Sequence, residues 1–303
     1  MSEIVRIKSV SEVHKFLGLP QPRHPLVSVI ELDDRILNLD YGDVKYTFDV
    51  YQVNLKQSFS GSMTYGRNSY DFEDGTLTFI KTGQVIQVEN PSTVIEGGSG
   101  WTLLFHPDLL RKSELGQNIG DYSFFDYDLH EALHLSEKER VALTALVAKI
   151  QEEYNQNIDK YSQELIVANI EMLLKYSKRF YDRQFYTRTN LNVDILTQFN
   201  KIIRTYYNSG QALMKGVLTV KECAANLNLS VNYLGDLIRA ETGRSAKEHI
   251  HEFVIEKAKN RLVGSREGIS EIAYDLGFEY PQGFNKLFKS KVGVSPSQYR
   301  NLN

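Results

Sequence analysis

Residues 218–243 read LTVKECAANLNLSVNYLGDLIRAETG, and this stretch decides the fold of the C-terminal part of the chain. Thr219 and Glu222 have the spacing of a capping box, in which each side chain bonds the other residue's backbone where a helix begins. Apolar residues follow at helical spacing as far as Leu229, and Ser230 can then cap a second helix. Two short helices joined by a tight turn are the pattern of a helix-turn-helix.

A related series recurs further along the chain and indicates that this unit is duplicated. Glu222, Ala224 and Leu227 correspond to Glu271, Ala273 and Leu276, and, after one inserted residue, Leu234, Leu237, Ile238, Arg239 and Gly243 correspond to Phe284, Leu287, Phe288, Lys289 and Gly293. Gly243 and Gly293 suit left-handed helix ends, and Gly277 allows a tighter second turn. Two helix-turn-helix units are therefore predicted, joined by a helix at about residues 246–263.

The capping signals repeat along with the apolar residues. Ser245 with Glu248 has the same spacing as Ser295 with Gln298, so a helix is predicted to begin after each serine. Gly268 stands where the first unit has Thr219. The first helix of the second unit is therefore expected to have a weaker cap.

This repeat resembles the DNA-binding domain of AraC-type bacterial transcription regulators. The resemblance is carried by LNLSVNYLGDLIRAETGRSAKEHI (227–250) and ISEIAYDLGFEYPQGFNKLFKSKVGVSPSQYR (269–300), and it extends over about a quarter of the chain. It implies that the second helix of each unit enters the major groove of double-stranded DNA.

The residues that face away from the core of each second helix are the candidates for DNA contact. In the first unit they are Val231, Asn232, Gly235, Asp236 and Arg239. In the second unit they are Gln282, Gly283, Asn285, Lys286 and Lys289. We expect Asn232 to pair with adenine, Gln282 and Lys286 to read bases, and Arg239 to meet phosphate. Asp236 departs from the family's pattern, because DNA phosphates repel a carboxylate; a local salt bridge is the alternative for it.

The charge distribution agrees with a polyanion partner for one part of the chain. Residues 195–303 hold 15 Lys and Arg against 10 Asp and Glu, whereas the formal net charge of the whole chain is -3. The C-terminal part is therefore basic and the remainder acidic. This asymmetry favours nucleic acid as the partner of the basic part.

The length of 303 residues exceeds what one hydrophobic core usually organises, so two domains are expected. Short alternating runs of β-branched and aromatic residues between about 27 and 105 predict an antiparallel β-barrel or jelly roll. Two helices at about 136–184 are predicted to pack on it: Ser136 with Glu139 forms a capping box before the first, and the second has a broad apolar face of Leu165, Ile166, Ile170, Leu173 and Leu174. The polar stretch 185–193 lacks an apolar period, and the next helix is predicted at 194–208. The fold class is α+β, with domains at 1–190 and 191–303, the second of them all-α.

Three segments of the first domain resemble the cupin-like sensory domains attached to many such regulators: HPLVS (24–28), GTLTFIKTGQ (75–84) and GWTLLFHPD (100–108). The resemblance implies that the barrel senses a small molecule, dimerises, or does both. Trp101 and the barrel tyrosines are expected in the core, with stacking on a sugar or aromatic effector as the alternative. A purely structural dimerisation barrel is the alternative for the whole domain.

A cupin-type metal enzyme is the alternative from another functional class. Such a site needs clustered His and carboxylate ligands on adjacent strands, and the predicted barrel offers only His24 and His106, without a His-x-His pair. His130 and His134 are expected to share one face of a helix but lack an identifiable third ligand. We therefore expect no catalytic residue, no metal and no cofactor.

The remaining features concern compartment and partners. His249 and His251 lie on a predicted helix, where side chains two residues apart diverge. The single cysteine, Cys223, is expected to be a buried small apolar residue rather than a redox sensor. No apolar run is long enough to span a membrane, so a cytoplasmic protein is expected. Its expected partners are double-stranded DNA, a small-molecule effector, a second copy in a homodimer and RNA polymerase.

Overall fold

A computed structural model of the protein describes residues 4–39, 44–57, 64–65, 68–69, 75–87, 97–156, 159–187 and 189–302. The chain divides into two compact units, Met1–Gln184 and Phe185–Asn303. The first unit contains the strands, and the second is helical. The molecule is therefore of mixed helix and strand class, and its two units are described in turn.

The N-terminal unit alternates short strands with short helices and ends in two long helices. Its strands are β1 (Ile4–Ile7), β2 (Val27–Leu32), β3 (Lys45–Phe48), β4 (Tyr51–Gln57), β5 (Thr64–Tyr65), β6 (Asn68–Ser69), β7 (Thr76–Ile80), β8 (Val85–Gln87), β9 (Ser99–Phe105) and β10 (Leu133–His134). Its helices are α1 (Val10–Phe16), α2 (Asp34–Leu37), α3 (Pro107–Leu110), α4 (Glu114–Asn118), α5 (Glu137–Asn155) and α6 (Ser162–Thr187), the last of which continues into the second unit.

The main sheet is antiparallel and has the strand order β10-β7-β4-β9-β2. Val53 on the central strand β4 pairs with Phe79 on β7 and with Leu103 on β9. Because paired residues point to the same side of a sheet, these three side chains share one face. A second sheet has the order β1-β3-β8, and β5 pairs with β6.

The face of the main sheet that carries Val53 packs against α5 and nearby aromatic residues, and the opposite face carries a second apolar cluster that includes Ile30, Ile80 and Leu104. The ring centroids of Phe79 and Phe124 lie 4.3 Å apart, and Trp101 Nε1 donates to Thr144 Oγ1 on α5 at 3.1 Å. Burial of each such large apolar side chain contributes about 1.5–3 kcal/mol to folding. Trp101 is 5% exposed, so it belongs to the core, and the alternative of stacking on an effector is wrong in this structure.

The described strands form two open sheets and a two-stranded ribbon, and a closed barrel is not found among them. The expected all-antiparallel arrangement is also wrong for β1, which pairs in parallel with β3. Both β1 and β10 lie outside the expected range of 27–105. Alternation in the sequence marks the two faces of a strand but carries no information about its neighbours or their direction.

The two long helices begin where the sequence places them. Ser136 N donates to Glu139 Oε2 at 2.9 Å, which confirms the capping box before α5. On α6, Ile166, Ile170, Leu173 and Leu174 are fully buried. Leu165 was expected on the same apolar face but is 48% exposed, because the buried stripe of α6 is narrower than the apolar stretch of its sequence.

The segment before α5 differs from the prediction. Residues Leu129–Glu131 form a single 3-10 turn and His134 lies in β10, so the expected helical face shared by His130 and His134 is wrong. Gln184 on α6 accepts a hydrogen bond from His134 N at 2.8 Å and donates to Ala132 O at 3.2 Å. These long-range bonds hold the segment extended, and local spacing cannot reveal them.

The C-terminal unit consists of helices in its described residues. They are α7 (Thr189–Asn208), α8 (Gln211–Lys215), α9 (Val220–Leu227), α10 (Val231–Thr242), α11 (Ala246–Gly264), α12 (Ile269–Asp275), α13 (Pro281–Val292) and α14 (Pro296–Leu302). Helices α9 and α10 form the first predicted helix-turn-helix, α12 and α13 form the second, and α11 joins them.

The capping signals of this unit are confirmed. Reciprocal hydrogen bonds join Thr219 with Glu222, Ser245 with Glu248, and Ser295 with Gln298. Gly243 (φ 72°) and Gly293 (φ 88°) end α10 and α13 in the left-handed region. Gly268 provides no side-chain cap, and only Glu271 bonds back to its N–H at 3.2 Å. The weaker cap of the second unit is thus confirmed.

Helix α7 begins earlier than the sequence predicts. The polar stretch 185–193 lacks an apolar period, so a helix was expected only from Asp194, whereas α7 begins at Thr189. Asn192 is buried and its Nδ2 donates to Glu241 Oε1 on α10 at 2.7 Å. This partner 49 residues away stabilises a helical turn that carries no local apolar signal.

Polar contacts fasten α7 and α12 to α11. Lys257 Nζ donates to Tyr207 O and to Asn208 Oδ1, both at 2.8 Å, where a cation also complements the dipole of the C-terminal end of α7. Arg261 bonds Glu267 and Asp275 at 2.7 Å each. Hydrogen bonds from Arg261 and Ser265 lower the pKa of Glu267 to about 2. Glu267 is therefore charged at neutral pH.

The turn of the second helix-turn-helix makes a close backbone contact. Gly277 has φ +92°, and a Cβ atom built on it would lie 2.4 Å from the carbonyl carbon of Gly216 and 2.7 Å from Val217 N. These neighbours are backbone atoms and cannot turn aside. In the first unit the turn residue Asn228 adopts φ 54°. Glycine is thus required at Gly277 by its conformation and by the approach of the segment before α9.

We predict that Gly277→Ala lowers the free energy of unfolding of the C-terminal unit by about 2 kcal/mol or more, because it adds both overlap and backbone strain. Gly235→Ala is the matched control: it lies within α10, and its Cβ would meet no heavy atom within 4 Å. It should raise stability by up to about 1 kcal/mol. Urea unfolding of the full chain measures both, and equal effects would contradict the close contact.

Candidate nucleic-acid interface and polar sheet face

Helix α10 presents a polar stripe opposite a fully buried one. Ser230 Oγ accepts from Tyr233 N at 3.2 Å and so begins the helix. Leu234, Leu237 and Ile238 are 0% exposed. On the other face, Val231 and Arg239 are exposed, while Asn232, Gly235 and Asp236 are half-buried. The structure therefore places all five predicted contact residues away from the core.

Helix α13 repeats this arrangement with aromatic anchors. Pro281 occupies its first position, and Phe284 and Phe288 are 0% exposed, with ring centroids 5.7 Å apart. Leu287 was expected to be buried as well but is half-buried, because the two phenylalanines already fill the space beneath the helix. The residues exposed on the opposite side are Gln282, Gly283, Asn285, Lys286 and Lys289.

The two stripes correspond position by position. Asn232, Asp236 and Arg239 lie at the places of Gln282, Lys286 and Lys289, spaced by four and three residues along one helical face. Amide side chains can bond base edges, and cations can bond phosphates or guanine. The second stripe is more basic than the first, because Lys286 stands where the first unit has Asp236.

Three exposed cations of this unit lie at ends of α10, α11 and α13, and two of them, Lys247 and Lys291, were not predicted from the sequence. Arg239 lies in the last turn of α10, Lys247 in the first turn of α11 and Lys291 near the end of α13. α11 packs against both other helices. These three residues are called the junction cluster. A basic residue at each helix end was the available signal in the sequence, but only the packing of the helices brings these residues to one region.

The charges of the junction cluster act on two titratable groups in the first turns of α11, Glu248 and His251. Hydrogen bonds from Ser245 lower the pKa of Glu248, and the charges of Lys291 and Arg239 lower it further. Burial lowers the pKa of His251, and Lys247 and Lys291 add to the effect, opposed by Glu248. Residues of all three helices therefore act on the same small region.

Other cations of the unit are held in ion pairs. Arg244 bonds Glu252 at 2.8 Å, and Lys259 bonds Glu256 at 2.7 Å. Arg261 is shared between Glu267 and Asp275. No ion pair of Arg239, Lys247 or Lys291 occurs within the described ranges. Their charge is available to an external anion.

The face of the main sheet opposite Val53 carries a polar patch beside the buried apolar residues Ile30, Ile80 and Leu104. Asn54 on β4 pairs with Thr78 on β7 and with Thr102 on β9, so the three side chains form a row. Thr102 Oγ1 donates to Asn54 Oδ1 at 2.9 Å, and Asn54 Nδ2 donates to Thr78 Oγ1 at 3.5 Å. This row is called the polar row.

Two buried polar groups flank the polar row. Gln52 precedes Asn54 on the same face of β4, and Thr76 precedes Thr78 on the same face of β7. Gln52 is 8% exposed and Thr76 is 4% exposed. Among the residues that the structure describes, Gln52 Nε2 and Thr76 Oγ1 have no hydrogen-bond partner. Buried polar atoms are normally satisfied, so this patch has unused hydrogen-bonding capacity.

The residues weighed as metal ligands have local roles. His24 Nδ1 accepts from Leu26 N at 3.1 Å, and His106 Nδ1 accepts from Asp108 N at 3.2 Å at the start of α3. In the described part of the chain, Asp128, His130 and Glu131 offer ligand atoms within 4.8 Å of one another. Asp128 and Glu131 cap each other's backbone there, which accounts for their proximity.

Cys223 is 0% exposed in α9, as predicted. Burial raises the pKa of its thiol to about 12, with a smaller contribution from Glu222. The fraction of Cys223 in the reactive thiolate form is therefore negligible at neutral pH.

Comparison with known proteins gives consistent matches. Residues 223–302 match the protein family described as a helix-turn-helix domain. The chain is 34% identical to the Msm operon regulatory protein of Streptococcus mutans over 105 residues, which are 35% of either chain. It is 31% identical to the raffinose operon transcriptional regulatory protein RafR of Pediococcus pentosaceus over 115 residues, 37% of this chain and 39% of that protein.

A third relative is similar over nearly its whole length. The lactose operon transcription activator of Staphylococcus xylosus is 21% identical over 263 residues, covering 85% of this chain and 87% of the activator. Against the first two relatives, by contrast, the chain spans only about a third of their length. These three names describe transcription regulators. They support the resemblance to AraC-type regulators.

Within the described ranges, no helix combines the length and the apolar character that a membrane span requires.

Proposed function

We propose that this chain is a sequence-specific, DNA-binding transcription regulator of the AraC type whose N-terminal unit senses a small molecule and dimerises. The observation that carries the DNA-binding part is the matched pair of outward stripes on α10 and α13. Each combines an amide near the start of the helix with a cation two turns later. The match of residues 223–302 to a helix-turn-helix family supports it.

The proposed roles follow from position on each helix. The first exposed residues of a recognition helix reach base edges, so Val231, Asn232, Gln282, Asn285 and Lys286 are assigned to bases. Arg239 and Lys289, further back, are assigned to phosphates. Asp236 can accept from a cytosine amino group. Such a protein would act in the cytoplasm and meet RNA polymerase at its promoters.

We predict different effects for the two kinds of residue. Gln282→Ala and Lys286→Ala should each weaken binding to the preferred duplex by about 1–3 kcal/mol and relax its sequence preference. Lys289→Ala should weaken binding to all duplexes alike and lower the salt slope by about 1. Fluorescence anisotropy on fragments selected from the host genome measures both. Lys201→Ala, an exposed residue of α7, is the control.

This assignment is contradicted if none of the three variants differs from Lys201→Ala on the selected fragments. Loss of binding that is equal on all duplexes for Gln282→Ala would contradict its role with bases while leaving DNA binding itself in place.

The proposed sensing role rests on the polar row and its two buried neighbours. Neutral amide and hydroxyl groups dominate this patch, and unsatisfied buried polar atoms cost about 1–3 kcal/mol each until a partner meets them. A neutral ligand with several hydroxyl groups supplies such partners. The names of two relatives refer to the raffinose and lactose operons, which favours a sugar over other effectors. A cupin-like jelly roll would enclose such a patch.

We predict that lactose, raffinose, glucose or mannitol raises the unfolding temperature of the full chain in a saturable way, since a ligand that binds only the native state stabilises it. Thr102→Val removes one hydroxyl at nearly constant volume, and Asn54→Ala removes the central amide; both should abolish the shift. Thr144→Val removes a hydroxyl on the opposite face and should leave it. Glucuronate is the charged control.

Sensing at this patch would be contradicted if none of the four neutral probes raised the unfolding temperature, or if the increase remained in Asn54→Ala and Thr102→Val. Either result would favour a structural role for the sheet.

The proposed dimerisation surface is an exposed stripe on α6. Leu165, Ala168 and Met172 are exposed and follow the spacing of a coiled-coil seam. Glu164 lies near the start of this exposed side and Lys178 and Arg179 lie towards its end, whereas Glu171 and Lys175 between them form an ion pair at 2.6 Å. A second copy in antiparallel orientation places acidic against basic ends. This complementarity favours a homodimer over another partner.

We predict that the full chain is a dimer in solution and that Leu165→Glu with Met172→Glu makes it monomeric, because each charge would be buried in the seam. Light scattering after size-exclusion chromatography measures the mass. Val85→Glu, an exposed apolar residue of β8, should leave the dimer intact. A monomeric wild-type chain, or a dimer that survives both α6 substitutions, would contradict the assignment.

A further inference from the structure

The position of Lys247 is not explained by the stability of its own helix. It lies in the first turn of α11, where the helix dipole disfavours a cation. Arg239 and Lys291 lie near the C-terminal ends of their helices and complement those dipoles. Lys247 therefore costs α11 stability unless an anion is bound nearby.

The local counter-charge does not balance the junction cluster. The Glu248 carboxylate accepts from Ser245 N and Ser245 Oγ, both at 2.8 Å, and so serves as the cap of α11. The charges of Lys291 and Arg239 act on this same carboxylate and lower its pKa. The carboxylate near these three exposed cations is thus already bonded as the cap of α11. The nearby Arg244, by contrast, is neutralised by Glu252.

The location of this surplus charge relates it to both helix-turn-helix units. The cluster joins the end of α10, the start of α11 and the end of α13, which are the elements that fix the two recognition helices relative to each other. A duplex that meets both recognition helices in successive major grooves presents a minor groove between them. The backbone there carries one negative charge per about 1.7 Å of helix axis.

We propose that Arg239, Lys247 and Lys291 together form a phosphate-binding site for the DNA backbone that runs between the two groove-reading helices. The proposal rests on the proposed DNA-binding function and adds a contact that belongs to neither unit alone. It is independent of base sequence, because phosphates are the same at every step.

The test measures how the affinity of the full chain for DNA depends on salt. Fluorescence anisotropy is recorded between 50 and 200 mM KCl, in buffer without phosphate, on a selected genomic fragment and on an unrelated duplex of equal length. Lys247→Gln with Lys291→Gln is compared with Lys201→Gln with Lys215→Gln, two exposed lysines of α7 and α8. Both pairs change the net charge equally.

The expected result is a salt slope lower by about 1.8 for the junction pair, since each phosphate contact contributes about 0.9. Affinity at 0.1 M salt should fall on the order of 10- to 100-fold on both duplexes alike. The control pair should keep the wild-type slope. Lys247→Gln alone should lower the slope by about 0.9 with an unchanged or higher urea midpoint, which separates binding from folding.

A wild-type slope in the junction pair, while the wild-type chain binds DNA in a salt-sensitive manner, overturns this inference and leaves the proposed function standing. Equal slopes in the junction and control pairs, both below wild type, would reduce the effect to net charge and also overturn it. If the wild-type chain binds neither duplex in a salt-sensitive manner, the proposed function itself fails.

Discussion

The buried face of α11 is the constraint on which the C-terminal unit depends. Ile250, Val254, Ile255, Ala258 and Leu262 lie along one side of this helix and are at most 4% exposed. α11 packs against α10, α12, α13 and α14. The positions of both recognition helices are therefore fixed by packing on the same rigid helix.

The sequence predicted best what depends on neighbours along the chain. The capping boxes before α5, α9 and α11 involve residues three apart, and the left-handed helix ends at Gly243 and Gly293 need only a glycine. The same apolar positions recur in both copies of the repeat, so the core of each helix-turn-helix could be predicted from their spacing. The outward stripes on α10 and α13 consist of the positions that are not part of that core. The sequence therefore also predicted which side of its helix each contact residue faces.

What the sequence missed depends on partners distant along the chain. Helix α7 begins early because Asn192 bonds Glu241, and residues 132–134 are extended because Gln184 bonds them. The parallel pairing of β1 with β3 has no local signature. The junction cluster was hidden for the same reason: its residues lie at the ends of three helices, and only packing brings Lys247 and Lys291 to one region. The polar row likewise appeared only once the register of β4 was known.

The two units are alike in architecture but differ where function is concerned. The first has a complete capping box and an asparagine at its turn, and its stripe includes Asp236. The second begins at an uncapped glycine and turns at Gly277, and it carries Lys286 at the corresponding position. The Asp236 carboxylate of the first stripe is repelled by DNA phosphates, and the base-edge donor that it can accept from is the cytosine amino group. The second stripe attracts any duplex. Under the proposed function, the second unit then supplies affinity and the first supplies discrimination, and a rigid α11 makes each depend on the other.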